Sequence, residues 1–166
     1  MAKGQLAFYP IPCFDEEMTT LDKAMTTITV EEFFRRYEHA NHDFDAPSIV
    51  KLYAETFMFG NPQGVQAVKK EDFVMLLPRR KDFMKTAGLV SSRVDSVEAS
   101  ALDSKYMLVK TVWNMQFRTN QGAEVVRKTA ATYVLSATGD TFEIVFQLDH
   151  QDLMKIGQDL SAPILR

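Results

Sequence analysis

The most chemically suggestive residues in this sequence stand at the end of an alternating apolar stretch. Residues 141–149 read Thr-Phe-Glu-Ile-Val-Phe-Gln-Leu-Asp, and this alternation predicts a β-strand with Gln147 and Asp149 on one face. A carboxylate that is desolvated at a pocket has a raised pKa, which suits it to giving and taking protons. The competing interpretation is that Asp149 caps a turn that starts at His150.

Two basic features could recognise an anion. In the predicted strand Ala123–Ser136, alternation places one set of side chains on a single face: Val125, Arg127, Thr129, Ala131, Tyr133 and Leu135. Arg127 could bind a carboxylate there, or it could contact solvent at the open end of the sheet. The run Arg79-Arg80-Lys81 is either an anion site or a solvated face.

Other chemistries lack their usual sequence patterns. The histidines are His39, His42 and His150, and none has a recognised metal-ligand spacing. The single cysteine, Cys13, excludes an internal disulfide and lies near no histidine motif. The sequence has neither a glycine-rich phosphate loop before a helix nor a G-x-S-x-G nucleophile motif. We therefore predict no metal site and no cofactor.

The chain between residues 29 and 158 contains the elements that would position these residues. Three long strands, Tyr106–Arg118, Ala123–Ser136 and Thr141–Asp149, form a predicted meander with glycine in both turns. Leu89–Ala99 precedes them as a fourth strand. Upstream we predict two helices, the first capped by Thr29 and Glu32, and then a short hairpin and a third helix to about Ala87. Among the residues predicted to face the core are Phe33, Tyr37, Leu52, Tyr53, Phe57, Phe73, Leu76 and Phe83.

Composition bounds the class of protein. The 166 residues are enough for one domain with a real core, and the net charge of −3 argues against nucleic acid as a partner. No apolar run approaches a membrane span, so we expect no membrane partner, and one cysteine fits a cytoplasmic location. We predict an extension at residues 1–28, a domain at 29–158 and a tail at 159–166.

The ordered set of elements resembles a known superfamily. The stretches that carry the resemblance are Phe33–Tyr37, Asp45–Tyr53, the hairpin Gly60-Asn61-Pro62-Gln63-Gly64, and Glu143–His150. Together they resemble the NTF2-like (cystatin-like) α+β cone fold, which includes SnoaL-like polyketide cyclases and ketosteroid isomerase. The resemblance implies a curved mixed or antiparallel sheet covered by three helices, a pocket between them, and often a homodimer through the outer sheet face.

The resemblance also implies roles for individual residues. Tyr37 matches the tyrosine that ketosteroid isomerases place in the first helix. Asn61, before Pro62, stands where their aspartate base would be, and an amide cannot accept a proton at neutral pH. Their second carboxyl position falls near Ala131. Because SnoaL-like cyclases use a strand aspartate as acid or base, Asp149 remains the carboxylate candidate.

Three functions stay open at this point. The chain could catalyse proton transfer on a small apolar molecule with an oxygen function, as an isomerase, cyclase or hydratase does. It could instead bind such a molecule without catalysis, or serve as a protein-interaction domain. We expect an apolar cavity with Tyr37 and Asn61 at its polar end, and with Trp113, Arg127, Thr129, Tyr133 and Gln147 as further ligand contacts. We also expect a homodimer, because the strand Tyr106–Arg118 has apolar side chains on both faces.

Overall fold

A computed structural model describes residues 28–161, which form an α+β domain with four helices and one six-stranded sheet. The predictions for residues 1–27 and for the end of the tail, residues 162–166, lie outside the described residues. The helices are α1 (Val30–His42), α2 (Ala46–Val50), α3 (Lys70–Thr86) and α4 (Leu153–Ser161). The strands are β1 (Tyr53–Asn61), β2 (Gly64–Lys69), β3 (Leu89–Ala101), β4 (Tyr106–Arg118), β5 (Glu124–Thr138) and β6 (Thr141–Asp149).

The sheet is mixed, with the strand order β2-β1-β6-β5-β4-β3. Neighbouring strands are antiparallel except β1 and β6, which run parallel, with Tyr53 opposite Ile144. The predicted meander is present, and the bounds of β4 and β6 are those that the sequence predicts. The last strand therefore lies inside the sheet, and its carboxyl end brings Asp149 next to elements from the first half of the chain.

Helix α1 packs across the concave side of the sheet. Its N-cap is Thr29, whose hydroxyl accepts a hydrogen bond from the Glu32 amide at 3.1 Å, as the capping pattern predicts. Phe33 and Phe34 are fully buried, and the Phe34 ring lies 5.0 Å from that of Tyr133 on β5. These aromatic contacts fix α1 over the middle of the sheet.

Helix α3 runs without interruption through Pro78. Leu76, predicted to be buried, is 50% exposed, while Leu77 is buried. The inward stripe contains Leu77 and Met84, two turns apart, and the residue between them on that stripe is Arg80.

Two other boundaries also differ. Tyr53 is buried as predicted, but it begins β1 instead of ending a helix, because it pairs with β6. Helix α4 extends through residue 159, where we predicted that the tail begins, and it is a fourth helix beside the three predicted. Among the described residues, no helix is long and apolar enough to cross a membrane.

Candidate functional site

Four side chains from three elements form a buried row of hydrogen bonds. The hydroxyl groups of Tyr37 on α1 and Tyr53 on β1 lie 2.9 Å apart. The Tyr53 hydroxyl donates to Oε1 of Gln147 at 2.6 Å, and Nε2 of Gln147 donates to Oδ1 of Asp149 at 2.8 Å. Because Tyr53 has a single hydroxyl proton, Tyr37 must be the donor in the bond between the two tyrosines. The row therefore connects the first helix to the carboxylate that ends the last strand.

The Asp149 carboxyl holds a proton more readily than that of an ordinary aspartate. The residue is only 9% exposed, and this burial raises its pKa. The bond from Gln147 and the charge of Arg80 act in the opposite direction, but burial is the larger effect. Asp149 does not cap the following helix. Asp152 does so, since its side chain accepts from the Lys155 amide at 3.0 Å.

The two buried tyrosines nearest this carboxyl remain neutral phenols at pH 7. Burial raises the pKa of Tyr53 and of Tyr133 well above the usual value, and neighbouring Tyr37 adds to the shift. The Tyr53 proton is already donated to Gln147, so of these two phenols Tyr133 is the one that could donate a hydrogen bond to an oxygen of a ligand. The site thus combines a neutral donor with one carboxyl that can change its protonation.

Arg80 brings a positive charge to the same place from α3. Burial lowers the pKa of its guanidinium, but Tyr37, Tyr53 and Asp149 more than offset this, so the pKa lies above its ordinary value. Arg80 takes part in none of the ion pairs found among residues 28–161. Its charge is therefore close to Asp149 without being bound in a contact ion pair.

Two cavities meet at these residues. The smaller, about 60 Å³, lies between α1 and the meander, and the larger, about 340 Å³, lies between β1, β2, α3 and α4. The larger has a mainly apolar wall and falls within the usual size of small-molecule sites. The residues that line both cavities are Arg80, Met84, Gln147, Asp149 and Leu153. Arg80, Gln147 and Asp149 therefore lie where the two spaces adjoin.

The structure brings most of the sequence-predicted contact residues to these cavities. Gln147 and Asp149 line both. The smaller cavity, but not the larger one, is also lined by Tyr37, Trp113, Thr129 and Tyr133. The indole N–H of Trp113 donates to the Thr111 hydroxyl at 2.8 Å, so this residue offers a ligand its ring surface.

Two of the predicted contact residues do not lie beside Tyr37. Arg127 is exposed and lines neither cavity, because the alternation that buries Thr129 continues beyond the part of β5 that the helices cover. Asn61 lines the larger cavity and not the one that contains Tyr37, so the two do not form a common polar end. The Asn61 side-chain oxygen accepts from the Gln63 amide at 2.9 Å, which holds the hairpin turn.

The sequence predictions missed Tyr53 as a site residue and left Arg80 open between an anion site and a solvated face. Tyr53 was expected in the core, and its hydroxyl partner Gln147 is 94 residues away. Arg80 carried a local signal, since it falls on the same helical stripe as Leu77 and Met84. Arg80 is also seven residues from Phe73 and from the buried Ala87, which places it on the core-facing stripe and distinguishes it from Arg79 and Lys81.

Solved structures of other proteins share this architecture. The chain is similar to a solved NTF2-like protein with a cystatin-like fold from Novosphingobium aromaticivorans, at 12% identity and TM-score 0.62, covering 81% of this chain and 87% of that one. It is also similar to a proposed dehydratase of the NTF2-like family from Streptomyces avermitilis, at 14% identity and TM-score 0.58, covering 75% and 94%. A proposed scytalone dehydratase from N. aromaticivorans matches at 8% identity and TM-score 0.59, covering 75% and 82%. Such identities show a shared fold and no more.

The sequence itself gives the family. None of the curated proteins matches it. The profile of the family described as NTF2-like protein (DUF6841) matches residues 22–152, which is most of the chain and includes every element from α1 to β6. The chain therefore belongs to the NTF2-like protein family DUF6841.

Proposed function

We propose that this protein binds a small, mainly apolar molecule with an oxygen function and transfers a proton to or from it through Asp149. The observation that carries the proposal is a buried carboxyl with a raised pKa at the junction of two cavities. A general acid or base works best when its pKa is brought towards the operating pH, and burial does this for a carboxyl group.

The surrounding groups support the same chemistry. The apolar wall of the larger cavity suits a hydrocarbon body, with Arg80 and Gln147 at the end where Asp149 lies. When a proton leaves a carbon next to a carbonyl, negative charge develops on the carbonyl oxygen. A guanidinium and neutral phenols are groups that stabilise such a charge. Two structural neighbours are described as proposed dehydratases, and dehydration is also a proton-transfer reaction.

The proposal can be tested without knowing the natural substrate. 2-Tetralone is a compact bicyclic ketone whose α-hydrogens exchange slowly with solvent. In D₂O, the wild-type protein should accelerate this exchange above the buffer rate, as followed by proton NMR. The acceleration should saturate with ketone concentration, because the reaction occurs in a cavity. An exchange rate equal to that of buffer, with the ketone shown to bind, would contradict the catalytic part of the proposal.

A binding protein without catalysis is the second candidate. One observation favours it: the hairpin position before Pro62 holds Asn61, whose side-chain oxygen is engaged by Gln63. No base is therefore available at that turn. Saturable binding of 2-tetralone without exchange would select this function.

We further propose that two copies associate through the outer face of the sheet. Side chains on the inner face of β4 and β5 contact α1, so those of the other parity point away from it. Leu108 pairs with Val134, which also pairs with Phe146, and Val112 pairs with Ala130. These apolar side chains are only half-buried in the single chain, and a second copy would cover them.

Light scattering at micromolar concentration should give a dimer for the wild type and a monomer for Val112→Lys. The lysine places a charge on the outer face while leaving the inner face unchanged. Lys81→Glu, at an exposed position on α3 and so away from that face, is a control for a change of charge. A monomeric wild type would contradict the proposed dimer.

A further inference from the structure

We propose that the ligand is a carboxylic acid with a compact apolar body, and that Arg80 selects it by binding the carboxylate. The inference rests on the function proposed above, because it assumes that the two cavities are the ligand site. It adds the charge of the ligand and the residue that recognises it.

The position of Arg80 is the first support. Helix α3 directs this residue inward between Leu77 and Met84, and it lines both cavities. Carrying a guanidinium into an apolar wall costs free energy unless the charge is compensated. Neighbouring groups compensate this charge at a distance, but Arg80 is in none of the contact ion pairs of the described residues. Its guanidinium is therefore open to direct contact with an anionic ligand.

The groups that face Arg80 favour a single negative charge on that ligand. They are Tyr37 from α1, Tyr53 from β1, Tyr133 from β5 and Asp149 from β6. Asp149 is the one carboxyl group among them. Arg79 and Asp152 also line the larger cavity, and their opposite charges offset each other. A phosphate dianion would therefore exceed the charge that Arg80 supplies and would repel Asp149. A carboxylate matches the planar guanidinium in both charge and geometry.

Asp149 can tolerate a carboxylate nearby. Burial already raises its pKa, and a second negative charge beside it raises the pKa further. Two neighbouring carboxyl groups can share one proton, which relieves the repulsion between them. The same group that would act as acid or base thus accommodates the charge of the ligand.

The test compares two ligands that differ in charge and little in shape. 2-Naphthoate and 2-naphthylmethanol have the same ring system, and calorimetry at pH 7.5 gives both dissociation constants. The wild type should bind the acid at least about tenfold more tightly, as expected for a charge-assisted bidentate bond compared with a neutral one. Arg80→Gln should abolish this preference, and Arg80→Lys should keep part of it.

Lys81→Gln is the matched control, because it removes one positive charge from the neighbouring exposed position, which lines neither cavity. It should keep the wild-type preference. If the wild type binds the alcohol as tightly as the acid, the inference about charge is wrong while the site remains. If neither compound binds, both the inference and the proposed ligand site are wrong. If Arg80→Gln does not fold, an Arg80→Lys variant that keeps the full preference would overturn the bidentate role.

Discussion

Replacing Gly88 by alanine should destabilise the protein by about 3 kcal/mol or more, the sum of a strained backbone and a steric overlap. Gly88 ends α3 with a φ of +79°, a conformation that side chains with a Cβ adopt at a cost. An added Cβ would also overlap the carbonyl oxygen of Arg118. That region is rigid backbone, because the Arg118 amide donates to the Gly88 carbonyl at 2.8 Å.

Gly122→Ala separates the two causes. Gly122 has a φ of +80°, nearly the same as Gly88, but a Cβ there would meet no heavy atom within 4 Å. The loss of stability in Gly122→Ala should be limited to the conformational cost of the positive φ, about 1 kcal/mol. Urea unfolding of both variants, with slopes compared to that of the wild type, measures the difference. Equal losses of unfolding free energy in the two variants would show that the steric overlap with Arg118 is relieved at no cost.

Asp149→Asn should reduce the acceleration of 2-tetralone exchange by about 10²–10⁴-fold, the range for a general acid or base. The amide cannot accept a proton at pH 7, while its oxygen can still accept the bond from Gln147. The cavity should therefore keep its shape, and the affinity for the ketone should change little. If the variant accelerates the exchange as much as the wild type does, the general acid or base must be a group other than Asp149.

The same substitution should make the protein more stable at neutral pH. Below the ordinary carboxyl pKa, folded and unfolded chains both hold the proton, and Asp149 contributes no pH dependence. As pH rises, the unfolded chain releases its proton first, because burial raises the pKa of Asp149 in the folded state. Stability of the wild type therefore falls with pH until that raised pKa is passed, and it then stays reduced.

Asp149→Asn removes this fall. Its unfolding free energy should exceed that of the wild type at pH 7, and the two should converge towards acidic pH. Urea unfolding across the pH range gives the comparison. The exposed Asp140→Asn, in the turn between β5 and β6, is a control that leaves the buried carboxyl in place. A wild type that is the more stable of the two at pH 7 would contradict the sign of the effect.

Local sequence patterns predicted the strands better than the helices. The bounds of β4 and β6 follow from alternation and from glycines in the turns, which are short-range signals. The start of β1 could not be predicted in the same way. Tyr53 lies at a helical spacing from Ile49, and what makes it a strand residue is its pairing with Ile144 at the other end of the chain.

The site was predictable to the extent that its residues shared a strand or a known position. Alternation correctly grouped Thr129 and Tyr133, but it could not show that the helices stop short of Arg127. The charge of Arg80 left it open between an anion site and a solvated face, although its spacing from Phe73 and Ala87 pointed inward. The bond between Tyr53 and Gln147 depends on three-dimensional proximity, which no local pattern contains.

The interior position of β6 has a consequence for how the chain is made. This strand separates β1 from β5, yet it is the last strand to leave the ribosome. Until then, the hairpin of β1 and β2 and the meander of β3, β4 and β5 are two separate half-sheets, and each has an unpaired edge. The nascent chain cannot hold the row from Tyr37 to Asp149 until β6 has left the ribosome. The chemistry proposed here therefore requires β6, and the edges of β1 and β5 are the surfaces that need protection during translation.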